Sequence, residues 1–484
     1  MREHTAHPYM ANSVPAIKQE MLDAIGAGSI EELFVQIPQD HRAARAPALP
    51  PALTESQLRR HLVETLSKNR TAEDNLNFLG AGVWQHHVPA AVDEVVRRNE
   101  WLTSVFGEPS SDHGRNQAWF EFCSQLGELL ELDLVALPVR SWGVAAGHAI
   151  RMAARLTGRS EVVVVRAIDP ERLAVIENFC EPVQMPGHIA IRQVRFDPAT
   201  GLMDLDHLRV LVGPDTAAVY FETPSYFGVI ERQGLEIAAI AHAAGAEVIV
   251  GVDPISLGVL ETPVNYGADI VVGPMQPLGV HMNIGGGVSG FMASRDEERY
   301  AHQYPTLFIS IAETTAPGEY GFGLSLFEQS SYGLRDKGND WTGHSVYMWA
   351  IANAVYMAMM GPQGFQEVGE LILQRAHYAA HKLSAIPGVR VVFPAGHFKE
   401  FVVGFDGATL SVAGINKRLL ARGIFGGKDL SREFPELGPS ALYCVTEVHT
   451  QDDIDRLAAA IGDVLNEAMN EAMDEALNEV SGDE

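Results

Sequence analysis

Between residues 71 and 327 the chain alternates helical stretches with short runs of β-branched residues that are apolar at nearly every position. The runs lie at 161–166, 189–196, 217–221, 247–252, 269–272 and 288–293. A strand with one wet face alternates apolar and polar residues. A strand that is apolar throughout is covered on both faces, as in parallel sheets flanked by helices. Segments such as 235–244 between the runs, and longer ones at 116–132 and 143–156, supply the helices. The pattern predicts a large α/β domain, residues 71–340, on a mostly parallel sheet.

The pattern changes on either side of that domain. After Trp341 a long apolar helix runs to Met360, is closed by Gly361-Pro362 and gives way to a helix ending near Leu383. Strand-like runs at 389–393, 401–405 and 441–445 follow, with helices at 412–421 and from Gln451. This predicts a small α+β domain, residues 341–465. Residues 466–484 repeat every four positions and are acidic, predicting a solvated helical tail. Residues 1–70 have too little apolar periodicity for a core and predict an arm that wraps a neighbour. In it a short helix ended by glycine precedes a second, with Ser29 and Glu32 at capping-box spacing.

Composition narrows the class. With 484 residues, 46% hydrophobic and 20% charged, the chain is an ordinary globular protein of two or three domains. Its net charge, 35 − 62 = −27, argues against nucleic acid and anionic membranes as partners. No signal-like or spanning segment is evident, so a soluble, cytoplasmic protein is expected. Cys123, Cys180 and Cys444 are odd in number and lack metal-ligand spacing, which makes them core thiols and leaves no metal site. Lysine is scarce: there are seven, and none between Asn69 and Asp336.

That gap bears on chemistry. One strand ends at Val252-Asp253-Pro254 and the next at Gly273-Pro-Met-Gln276, and ligands of open α/β sheets bind at such strand ends. The spacing resembles that of fold-type I pyridoxal-phosphate (PLP) enzymes, in which an Asp pairs with the pyridinium nitrogen and a Lys after the next strand forms the Schiff base. Here Gln276 takes the Lys position. An amide cannot form an imine, so this chain cannot hold PLP covalently in that pocket.

From about Tyr9 to Val464 the chain also resembles subunit 1, the α subunit, of the two-subunit P-protein (glycine decarboxylase) of the glycine cleavage system. The matching segments include Phe78-Leu-Gly-Ala-Gly-Val-Trp-Gln-His86-His-Val-Pro89, Phe227-Gly-Val-Ile230, Asp253-Pro-Ile-Ser-Leu-Gly258, Gln276-Pro-Leu-Gly279, Lys399-Glu-Phe-Val-Val403 and Thr446-Glu447. The resemblance implies a fold-type I PLP-transferase-like large domain and a PLP-free chain, inactive alone. A β partner would carry the cofactor, with the active site at the shared interface of a heterotetramer. It also implies an amino-acid-catabolising reaction: glycine is decarboxylated and its aminomethyl group passes to the lipoyl arm of a carrier protein.

Several loops depart from the family pattern. They read Arg140-Ser-Trp142-Gly143, Arg166-Ala-Ile-Asp169-Pro170 and Lys337-Gly-Asn-Asp-Trp341-Thr-Gly-His344. They leave open a paralogous pair acting on another amino acid, and a homo-oligomeric binding protein without chemistry is a further alternative. The candidates for a shared site are His86, Arg140, Trp142, Asp253, Gln276, His281 and Asn283. Arg140 and Trp142 suit an anionic and a planar group, Asp253 suits local amides, and Gly285–Gly287 suit a phosphate.

Overall fold

The protein is described by a computed structural model covering residues 6–7, 9–43, 48–101, 109–282, 288–325, 334, 338–340, 346–394 and 396–482. It divides into two compact units, residues 1–70 and 71–484.

In the first unit, α1 (Pro15–Ala24) is closed by Gly26 at φ 70° and buries only Leu22. The expected second helix is a single 3-10 turn, Glu31–Phe34, and Glu32 takes the Gly28 N–H instead of pairing with Ser29. A helix not read from the sequence, α2 (Glu55–Leu66), starts at a true capping box formed by Thr54 and Gln57. Its apolar residues Leu58, Leu62, Val63 and Leu66 are exposed.

The second unit is built on a seven-stranded sheet. Its strands are β2 (Leu134–Val135), β3 (Glu161–Val165), β4 (Ala190–Val194), β5 (Thr216–Thr223), β6 (Glu247–Val252), β7 (Ile270–Pro274) and β8 (Gly290–Ser294), in the order β2-β8-β7-β6-β5-β3-β4. β3 to β7 pair in parallel, and β8 pairs antiparallel with both β7 and β2. Central β5, β6 and β7 are buried at every residue, as their uninterrupted apolar sequences require, whereas the edge strand β4 exposes Arg192 and Gln193. Helices α4 (Pro109–Leu130), α5 (Trp142–Thr157), α6 (Pro170–Cys180), α7 (Leu205–Leu211) and α8 (Gly234–Ala243) alternate with the strands, and the short α9 (Glu298–Ala301) follows β8. The exposed hairpin β9 (Phe308–Glu313) to β10 (Tyr320–Ser325) was not expected.

A second core forms around a four-stranded antiparallel sheet, β11 (Val389–Val391), β12 (Glu400–Phe405), β15 (Ser440–Cys444) and β14 (Lys428–Asp429), in that order. Phe401, Val403 and Tyr443 of this sheet pack with Ala376 and Leu383 of α10 (Tyr347–Ser384), Ile415 and Leu419 of α11 (Val412–Ala421), and Ile454 and Leu457 of α12 (Gln451–Gly482). α10 breaks at Gly361 (φ 57°, ψ 179°), where the sequence places its Gly-Pro stop. The acidic tail continues α12, held to α11 by Arg422–Glu467 and Arg418–Glu471 pairs, with Met469, Met473 and Leu477 exposed.

Two features bring the small sheet onto the large one. β1 (Leu76–Asn77) pairs in parallel with β13 (Ile424–Phe425), and the Phe78 carbonyl accepts the Cys444 N–H, so the segment after residue 77 leaves the small sheet towards the strand ends of the large one. Gly228 (φ 78°) lies so close to β12 that an added Cβ would sit 1.7 Å from the Glu400 carbonyl oxygen. Gly228→Ala is therefore expected to cost about 3 kcal/mol or more of unfolding free energy. Urea denaturation showing a cost below about 1 kcal/mol would mean the two sheets can separate freely there.

Candidate functional site

The C-terminal ends of β3, β5, β6 and β7 converge where the fold class would seat a cofactor. Gln276, 1% exposed, accepts the Trp84 N–H (3.0 Å) and donates to the carbonyls of Trp84 (2.9 Å) and Val280 (3.0 Å). The amide thus sews the turn 79–88 to the loop after β7. Asn353 of α10 pins the same loop, donating to the Met275 and Leu278 carbonyls.

Asp253 caps the turn after β6 through the Ile255 N–H (3.2 Å), as expected, but it also meets a cation. Lys399, from the start of the small sheet, places its ammonium 2.7 Å from Asp253 Oδ2 and 3.7 Å from the centre of the Trp84 ring. Its Nζ is also 2.9 Å from Nε2 of His86, whose Nδ1 lies 2.8 Å from Glu447. Glu447 further accepts the His87 N–H (2.7 Å). Burial would raise this carboxyl, but the His86 contact and the backbone N–H bonds overcome it and hold it down to about 2.

The neighbouring Glu400 accepts the Ala81 N–H (2.6 Å) and is pushed up to about 7, chiefly by burial. On the other wall Arg172 makes a bidentate pair with Glu222 (2.6 and 3.0 Å), Tyr220 donates to the same carboxylate (2.7 Å), and the guanidinium lies 3.6 Å from the centre of the Trp142 ring. Burial raises Glu222, with Arg172 opposing it.

The space left among these side chains is about 10 Å3. That admits one water at most, against the roughly 300 Å3 or more of an ordinary ligand pocket. This chain's own residues therefore do not fit PLP. The pocket is closed, Asp253 is engaged, and Lys399, the one lysine among the described residues that lines the pocket, is held in an ion pair and is not a free nucleophile.

The sequence candidates are dispersed. His86, Asp253 and Gln276 do meet, but inside the chain. Trp142 is 6% exposed, and its ring carries the Arg172 guanidinium on one face. Arg140 is exposed beside it. His281 is a surface residue bonded to Asp93 of α3 (Ala90–Val96). Asn283 and Gly285–Gly287 lie outside the described residues, as does most of 337–344, of which Asp340 bonds Arg151 and Arg155 on α5. Asp169 caps α6 and contacts Arg172. Sequence reasoning assigned no role to Lys399, Glu400, Glu447, Arg172 or Trp84. Trp84, Lys399, Glu400 and Glu447 did lie in segments that carry the family resemblance, and Lys399-Glu400 is also a charged pair heading an apolar strand.

The three thiols are free, and burial raises each of them. Among the described residues no three ligating side chains cluster, and no helix is long and apolar enough to cross a membrane.

Two outcomes test the closed pocket. In the unfolded chain Glu400 titrates near 4.5 and in the fold near 7, so its charging weakens the fold as pH rises between those values. Glu400→Gln keeps the acceptor for Ala81 and should gain on the wild type by up to about 3 kcal/mol between pH 5 and pH 8; a constant difference in unfolding free energy across that range would refute the assignment. Gln276→Lys should give no borohydride-reducible PLP adduct at residue 276, and mass spectrometry of the reduced peptide checks it.

Comparison with known proteins identifies the family. The family model described as glycine cleavage system P-protein matches residues 9–461. A probable glycine dehydrogenase (decarboxylating) subunit 1 of Staphylothermus marinus is 34% identical over 96% of this chain and 99% of its own length. The chain of the same description from Thermococcus kodakarensis is 36% identical over 95% and 98%. A crystal structure of glycine decarboxylase (P-protein) of the glycine cleavage system, in inhibitor-bound form, aligns with a TM-score of 0.82 and 30% identity over 95% of this chain and 100% of that one. A sphingosine-1-phosphate lyase of Burkholderia pseudomallei, at TM-score 0.63 and 15% identity over 92% and 97%, shares the fold alone. With its PLP-transferase-like α/β fold and a match along nearly its whole length, the chain belongs to the glycine cleavage system P-protein family.

Proposed function

We propose that this chain is the PLP-free subunit 1 of a glycine dehydrogenase (decarboxylating), working with a second subunit that carries the cofactor. The observation that carries the reading is the closed pocket, in which Gln276 and the Lys399–Asp253 pair fill the place of a cofactor and its lysine. A chain with this pocket takes part in PLP chemistry only through a partner, and its relatives bear the name subunit 1. The partner's PLP would stabilise the carbanion left by loss of CO2 from glycine. A lipoyl arm on a carrier protein would take the aminomethyl group.

This chain would supply a wall of the shared site. The turn 79–88 suits that role because it is fixed from behind by Gln276 and Glu400 while Leu79, Val83 and His87 remain exposed. The inward packing of Trp142 supports glycine over a different amino acid, since the unusual Arg140–Gly143 turn then serves to fill the pocket and not to select a substrate.

Reconstitution tests the reading. The chain alone should release no CO2 from glycine, and the complex with its cofactor-bearing subunit and a lipoylated carrier should. His86→Ala in the complex should lower kcat/KM by about tenfold or more. A complex that turns over a different amino acid faster than glycine would overturn the substrate, and unchanged kinetics would remove His86.

A further inference from the structure

The surroundings of Lys399 are those of a cation site. A carboxylate (Asp253, 2.7 Å), an aromatic face (Trp84, 3.7 Å to the ring centre) and an imidazole nitrogen (His86 Nε2, 2.9 Å) converge on one point. The side chains of Lys399 and Asp253 are 3% and 4% exposed. An ammonium has three donors and no acceptor, so Nε2 of His86 must accept from it. The ring proton is then on Nδ1, where it donates to Glu447 Oε2 at 2.8 Å. The Lys399 carbonyl in turn accepts the Val445 N–H, two residues before Glu447. One side chain thereby joins β6, the turn 79–88 and the small sheet.

We propose that Lys399 is a positioning residue whose ammonium occupies the cation site left by the missing cofactor, anchors the turn 79–88 to the small sheet and fixes His86 as its Nδ1–H tautomer. The activity arm of the test rests on the function proposed above, and the other two arms do not.

In the full chain with nitrogen-15-labelled histidine, the wild type should show His86 protonated at Nδ1 alone. Lys399→Met, which keeps the volume but removes the donors, should let His86 carry a proton on Nε2 as well, since Glu447 still accepts from Nδ1. Lys399→Ala should melt at a lower temperature and be recovered by n-propylammonium, which replaces the lost atoms, but not by equal potassium chloride or 1-propanol. Lys399→Met should show no such recovery. In the reconstituted complex both variants should lose kcat more than they change KM, with n-propylammonium restoring kcat to Lys399→Ala only. An unchanged His86 tautomer in Lys399→Met, or equal responses of the two variants to n-propylammonium, would overturn the proposal. If Lys399→Ala does not fold, the tautomer in Lys399→Met decides. If the wild-type complex ignores glycine, the functional reading fails while the tautomer and melting arms still judge Lys399.

Discussion

The buried pair between Lys399 and Asp253 is the contact on which the arrangement of this chain turns. Removing an ammonium and a carboxylate from water costs several kcal/mol per ion, and attraction at 2.7 Å offsets that only when the remaining hydrogen-bonding capacity is satisfied. Here the Trp84 face and His86 Nε2 engage the ammonium and the Ile255 N–H bonds Asp253 Oδ1, while Oδ2 has only the ion pair. Lys399 immediately precedes a strand of the small sheet and Asp253 immediately follows a strand of the large one, so the pair can form only when the two sheets meet in this relation. A mismatched docking would bury one charge alone, a cost of the order of 3–5 kcal/mol. The pair thus serves as a registration device more than as a source of stability.

The same contact explains why losing one lysine does not describe the pocket. With Lys399 on Asp253, Trp142 on Arg172, and Gln276 on the Trp84 backbone, each feature that a cofactor would use has an internal partner. Charge points the same way. Glu222, Asp253 and Glu400 line the pocket against Arg172 and Lys399, three acids to two bases, and a phosphate would enter against that field. Raising Glu400 towards neutrality relieves part of this repulsion.

What was legible in the sequence follows from range of interaction. β5, β6 and β7 could be read because burial on both faces writes itself as uninterrupted apolar residues, and the α10 break could be read because Gly361-Pro362 is a local signal. β2 is two residues long, and the β9–β10 ribbon buries only two of its twelve residues, so neither leaves a pattern. Asp253 and Gln276 were found from their places at strand ends. Their partners were not, because Lys399 lies 146 positions beyond Asp253 and Glu447 361 beyond His86, and pairing at that distance is encoded only by the finished fold. The absence of lysine from 69 to 336 is real along the chain but not in space.

A pocket closed in this way alters what a subunit can contribute to a reaction. Ligand-driven closure requires two arrangements of similar free energy, with the ligand choosing between them. Here the groups that would otherwise await a ligand already bind one another, so an open arrangement would leave Asp253, Lys399 and Glu400 without their present partners in one step. The turn 79–88 is held from behind by the same groups while its outer residues Leu79, Val83 and His87 face outward. On the proposed reading, a partner that docks there meets a surface whose ordering has been completed during folding. The entropic cost of forming a shared site then falls on the partner's residues, and this chain acts through fixed geometry and dipoles and not through movement.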